Sequence, residues 1–262
     1  MKNLFPFLIL FLFISCNTST TEEKPREEIQ ETIITSEIPL PFLNKKKELH
    51  LGGFQALQTL KKSTIALMKK EPGKQTEILH HFIKMYEENP MPENINSDSF
   101  ALFYSTEMAE GDFYPAYNSS YLKVGIMELL DEINSRYLSL RCLEIMTKCC
   151  DDAAVILKKE EVIQRALHWG ELNKKLESNH IFKNRTAAFY KDYKNFLLEG
   201  PDNTPAFGFD GIYDSNYFNA LKKMIKEHPN SLLADDLKGF VKLLENENFK
   251  ETNKVKLLIE EM

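Results

Sequence analysis

The chain is short of several things. Its 262 residues include one Trp, four Cys and ten Gly. So few cysteines exclude a disulfide-built miniprotein, and so little glycine excludes collagen-like repeats. Lys and Arg total 33 against 39 Asp and Glu, a net charge of -6, with no long basic run. Nucleic-acid binding needs concentrated positive charge, so no nucleic-acid partner is expected. The phosphate-cradling Gly-rich loop, the dinucleotide fingerprint, Gly-x-Ser-x-Gly, Ser-x-x-Lys and His-Glu-x-x-His are also missing. No catalysis and no cofactor are expected.

What is present begins at the N-terminus. Lys2 precedes an apolar run over 4–14, broken by Pro6 and ending in Phe13-Ile14-Ser15-Cys16. A bilayer span needs about 20 apolar residues, so the run fits the core of an export signal. Charge, apolar run, small residue and Cys in that order resemble the lipobox of bacterial lipoproteins, with Phe13 where that family usually has Leu. The resemblance implies cleavage before Cys16, diacylation of its sulfur and an acylated mature N-terminus. It also implies export, and a membrane partner through the lipid anchor in the bacterial cell envelope, on the periplasmic side or at the outer membrane.

Residues 1–15 are thus expected to be the signal, 16–43 an acylated acidic tether and 44–262 one folded domain. In the tether, Glu22, Glu23, Glu27, Glu28, Glu31 and Glu37 face only Lys24 and Arg26. Too few apolar groups are present to offset chain entropy. A flexible coil of some 30 residues spans about 30 Å.

Beyond it the periodicity is helical. Ile78, Phe82 and Met85 mark one stripe, and Ile126, Leu130, Ile133, Tyr137 and Leu140 a second. Val155, Val162, Ala166, Trp169 and Leu176 mark a third. Breaks fall at Glu71-Pro72-Gly73, Asn89-Pro90-Met91-Pro92 and Cys149-Cys150-Asp151-Asp152, where Pro stops a helix and Asp or Asn can cap the next. Helices are expected over 53–70, 74–88, 97–110, 119–148, 152–178, 183–199, 215–228, 231–246 and 250–260. The expected class is all-α, an antiparallel bundle or a stack of helical hairpins. His228-Pro229-Asn230-Ser231 followed by Leu232-Leu233-Ala234 resembles the corner of tetratricopeptide-type repeats over residues 215–248. No 34-residue period recurs upstream.

Three constellations carry possible chemistry. Glu77 with His80 and Glu177 with His180 are two Glu-x-x-His pairs. In this spacing alone they resemble the ligand set of ferritin-like di-iron bundles, which implies a metal-dependent enzyme; the competing reading is a solvated helix face. Cys142, Cys149 and Cys150 are too ill-spaced to bridge within one helix and read as buried small hydrophobes rather than a redox or soft-metal site. The third constellation is two aromatic connections. Phe113, Tyr114 and Tyr117 surround Pro115, and Phe207, Phe209 and Tyr213 surround Gly208 and Gly211. Such rings either seal the ends of the helices or offer a contact surface. The functional expectation is a lipid-anchored envelope protein whose helical domain binds a protein partner. The alternatives are a glycan or peptide binder using the aromatic loops, and the metal enzyme.

Overall fold

The computed structural model describes residues 54–87, 104–109, 112–117, 123–146, 149–151 and 154–262, all within one compact unit. The signal, the tether and Cys16 lie outside them.

The chain opens with α1 (Phe54–Lys70) and α2 (Gln75–Glu87), joined by a turn in which Lys74 N–H donates to Glu71 O at 3.0 Å. An antiparallel ribbon follows, β1 (Tyr104–Ala109) against β2 (Asp112–Tyr117). A 3₁₀ turn (Met127–Leu129) leads to α3 (Glu132–Met146). The small ribbon β3 (Cys150–Asp151) and β4 (Ala154–Val155) precedes α4 (Lys159–Lys175) and α5 (Lys183–Leu198). The chain then folds as α6 (Ser215–Glu227), α7 (Leu232–Asn246) and α8 (Asn253–Glu261). With eight helices and only two two-stranded ribbons among the described residues, the protein is all-α. None of these helices is long and apolar enough to cross a membrane.

The stripes supply much of the core, although Leu130, Ile133 and Val155 are only partly buried. Ile78, Phe82 and Met85 of α2 are buried, as are Val162, Ala166 and Trp169 of α4. Each stripe steps by three or four residues, so its side chains share one helix face. Helices α4 and α5 make the tightest pair. A Cβ on Gly170 would lie 2.9 Å from Tyr190 Cε2, so the absent side chain is what lets α5 approach. The corner between α6 and α7 is capped as its composition suggests. Ser231 Oγ accepts Ala234 N–H at 3.1 Å and donates to His228 O at 2.8 Å, supplying a partner to an otherwise orphaned helix N–H.

Three expected helices need correction. Residues 104–109, placed in a helix over 97–110, are strand β1, with Tyr104 paired to Tyr117 and Ala109 to Asp112. The helix expected over 119–148 begins only at Glu132. Gly125 adopts φ 78°, and Asp131 accepts Asn134 N–H at 2.7 Å, so the helix starts there. The helix expected over 152–178 starts at Lys159, and Val155 belongs to β4 instead.

Candidate functional site

The connection between α5 and α6, residues 199–214, builds the most distinctive surface feature. Its stem closes when Ala206 N–H donates to Glu199 O at 2.7 Å and Asp214 N–H to Ala206 O at 2.8 Å. From that stem rises a small hairpin in which Phe207 bridges Tyr213. Gly208 N–H donates to Ile212 O at 2.9 Å, and Gly211 N–H donates back to Gly208 O at 2.8 Å. Gly211 sits at φ 68°, a left-handed conformation that glycine enters without steric cost. This is the pattern of a tight turn closed by a left-handed glycine. Asp210 Oδ1 accepts Ile212 N–H at 3.1 Å and braces the tip. The hairpin is also tied to the segment after α7, since Glu251 N–H donates to Gly211 O and Tyr213 N–H to Phe249 O, both at 2.8 Å.

The three aromatic candidates of this connection point in different directions. Tyr213 is 1% exposed and Phe207 7%, so both belong to the core rather than to an outer contact surface. Their rings meet edge to face at 5.0 Å, and Tyr213 also meets Phe240 at 5.5 Å. The Tyr213 hydroxyl donates to Leu197 O, and burial pushes its phenol upward from the ordinary value. Phe209, at the tip, is fully exposed. The buried pair thus acts as a footing that holds one phenyl group out in solvent.

Beside the stem lies an open cleft of about 460 Å³, lined by Val155, Leu157, Thr204, Pro205, Lys159 and Tyr217 among others. Thr204 Oγ1 accepts Val155 N–H at 2.8 Å, fixing β4 to the connection. Lys159 Nζ donates to Asp214 Oδ1 at 2.8 Å and lies 4.5 Å from the centroid of the Tyr217 ring. Burial alone would raise the Asp214 carboxyl. The Lys159 hydrogen bond and the Tyr217 N–H outweigh it and hold the group below the usual carboxylate range.

The other candidates are placed as follows. Phe113, Tyr114 and Tyr117 lie on β2, opposite Met108, Glu107 and Tyr104 of β1. His80 and His180 converge, with ring centroids 5.9 and 5.6 Å from that of Phe182. His180 Nδ1 accepts Phe182 N–H at 3.2 Å, so this nitrogen is engaged at the start of α5. Glu77 and Glu177 do not complete a ligand set, and among the described residues no group of three His, Cys, Asp or Glu side chains could hold a metal ion. Burial pushes the Cys142 thiol up to about 11, the behaviour of an inert packed sulfur. Cys142 and Cys149 are free thiols.

One cluster went unforeseen. Glu144 of α3 accepts Arg165 Nη1 and Trp169 Nε1, each at 2.9 Å, and also the Tyr193 hydroxyl. Arg165 Nη1 further donates to the Tyr193 oxygen at 3.0 Å. Both carboxylate oxygens are engaged by groups from two other helices, and the pair is nearly buried, so the cluster acts as a structural lock. No family model matches the chain, and comparison with curated proteins and with solved structures returns no match.

Proposed function

We propose that the chain is a lipid-anchored protein of the bacterial envelope whose helical domain docks a protein partner through the Phe209 hairpin. The observation that supports this reading is the presentation of Phe209. Its phenyl group is fully exposed on a turn braced by backbone hydrogen bonds on both flanks and by a buried Phe207–Tyr213 footing. A large apolar group held outside the core contributes little to the fold and remains available for contact. Protein interfaces draw most of their energy from such anchors, because a pre-ordered ring loses little entropy when a pocket covers it. Cys16, at the end of the apolar run, would tie this domain to a membrane on the 16–43 tether.

The test is crosslinking of the membrane-bound protein in its host cells, with Phe209→Asp as the comparison. The docking reading expects defined protein adducts that fall at least about tenfold in the variant, the range for loss of a central aromatic anchor. Adducts of equal yield and identity in both forms would refute it.

A further inference from the structure

The hairpin that presents Phe209 does not stand by itself. Phe207 bridges Tyr213 within it, and Ile212 bridges Lys250 on its other side. The segment 249–251 thus lies antiparallel beside 211–213 as a third edge. Tyr213 N–H donates to Phe249 O and Glu251 N–H to Gly211 O, one on each side of that bridge. Helix α8 begins two residues after Glu251, at Asn253. The order of the hairpin is therefore tied, through a few residues of backbone, to the seating of α8.

That seating is thin. α8 has nine residues, fewer than the roughly 12–15 an isolated helix needs, so its order comes from packing against α7. Val255 is its buried residue, Leu258 and Ile259 are half-buried, and Leu257 is 58% exposed. Just past the helix, Met262 O accepts the Lys194 ammonium at 2.6 Å. The same ammonium donates to Asp236 Oδ2 at 3.1 Å, and that oxygen also accepts the Tyr190 hydroxyl at 2.7 Å. The Lys194 side chain is 8% exposed, yet it keeps Asp236 when Met262 moves away. Release of α8 thus strands no buried charge, the step that would otherwise make it costly.

The entry to α8 is strained. Asn248 and Phe249 have φ 52° and 63°, consecutive non-glycine residues in the left-handed region, where Cβ crowds the following carbonyl oxygen. Asn tolerates this conformation, whereas a bulky Phe is an outlier in it. The Phe249 ring meets Phe218 edge to face at 4.8 Å, and Lys254 Nζ reaches back to Glu247 at 2.9 Å. Such contacts hold the strain in place, and it relaxes when they let go.

We propose that α8 is a detachable strap that sets the order of the Phe209 hairpin. Seated, it holds 249–251 against the hairpin and keeps the phenyl group in one place. Lifted, it withdraws that edge and leaves a two-stranded hairpin, which is marginal in water. By linkage, a partner that grips the ordered tip also holds α8 down. The strap regulates the site of the docking reading above, and as regulation it rests on that reading.

The test is native-state hydrogen exchange on the purified full chain. In the wild type, the amides of α8, Glu251, Tyr213 and Gly208 are expected to share one protection factor, at least about tenfold below that of Ala166 and Trp169 in α4. Val255→Ala, which loosens the seat, should quicken the whole set at least about threefold and leave α4 unchanged. Lys194→Met should do the same from the far end of α8. Gly208 carries the argument, since its bond to Ile212 O lies wholly inside the hairpin. Quickened α8 amides with Gly208 and Tyr213 at their wild-type rates would overturn the strap. So would wild-type exchange of α8 in step with α4. No partner enters this readout, so failure of docking at Phe209 leaves the strap standing, and failure of the strap leaves the docking reading intact.

Discussion

Trp169 donates its indole N–H to Glu144 Oε1 at 2.9 Å, which places the only tryptophan of the sequence on the same carboxylate that holds Arg165. The carboxylate joins α3 to α4, and through the Tyr193 hydroxyl to α5. With Arg165 and Glu144 side chains 5% and 11% exposed, the pair has little water to fall back on. Breaking a buried pair by removing one partner leaves the other charge uncompensated. Glu144→Ala is therefore expected to destabilise the fold by about 3–5 kcal/mol. Glu144→Gln, which keeps an acceptor for the indole, should cost less. Denaturant unfolding followed by Trp169 fluorescence checks both, and equal stability of Glu144→Ala and wild type would contradict the lock.

The hairpin divides its aromatics into footing and tip, and stability separates them. Phe209→Ala should change unfolding free energy by no more than about 0.5 kcal/mol, as for a surface position. Phe207→Ala should cost about 3–5 kcal/mol as a buried ring lost from the core. Chemical denaturation of the two variants side by side is the check, and similar losses for both would remove the distinction.

Gly211→Ala forces a side chain into the left-handed region at φ 68°. The expected cost is about 1–2 kcal/mol. Amide exchange should quicken at Gly208, Gly211 and Tyr213, whose N–H groups close the hairpin, and remain slow in α4. Unchanged exchange at those three amides would show that the turn does not depend on glycine.

Acid should weaken the fold through histidine. His81, His168 and His180 are each held below the ordinary value of 6.5, with burial the first cause in every case. Lys84 adds to the depression at His81, and Arg136 at His168. Asp131 and Glu177 oppose it at His180. The unfolded chain then binds protons that the folded chain refuses. The stability from these groups is fully present above about pH 6.5 and is lost as pH falls through the lower folded-state values. Protonation of His180 also removes the Nδ1 acceptor that Phe182 N–H uses. Melting temperature should drop between pH 7.5 and 5.5, and ¹H–¹⁵N titration should give His180 a midpoint below 6.5. A raised His180 midpoint would reverse the sign of the argument.

The lipid anchor has its own test. Cys16→Ser should abolish labelling of the chain by a fatty-acid analogue and release it from the membrane or leave the signal uncleaved. Undiminished labelling of that variant would end the lipoprotein reading.

Helix stripes were legible because they are local. Phe82 lies four residues from Ile78 and Trp169 three from Ala166, so spacing alone puts each pair on one buried face. The break at His228-Pro229-Asn230-Ser231 was legible for the same reason, and Ser231 caps the helix that follows it. Strand β1 was not, because Glu107, Met108 and Ala109 favour helix individually. Pairing with β2 overrides that preference through contacts made across the ribbon. The Glu144 lock joins residues 21, 25 and 49 positions apart, a separation that leaves no motif. Around the hairpin, the glycines and aromatics marked a connection, yet composition could not say which rings face inward. That depended on Tyr213 meeting Phe240 of α7, a contact between distant segments.

The most direct test of the docking account is carbene footprinting of Phe209 in two settings, with the protein on its native membranes and with the purified chain at nanomolar concentration in detergent. The account predicts strong labelling of Phe209 in the dilute purified chain and protection of at least about fivefold on the membrane, as expected when a partner covers a central anchor. Equal labelling in both settings would show that nothing covers the Phe209 hairpin where the protein works, and would contradict the account.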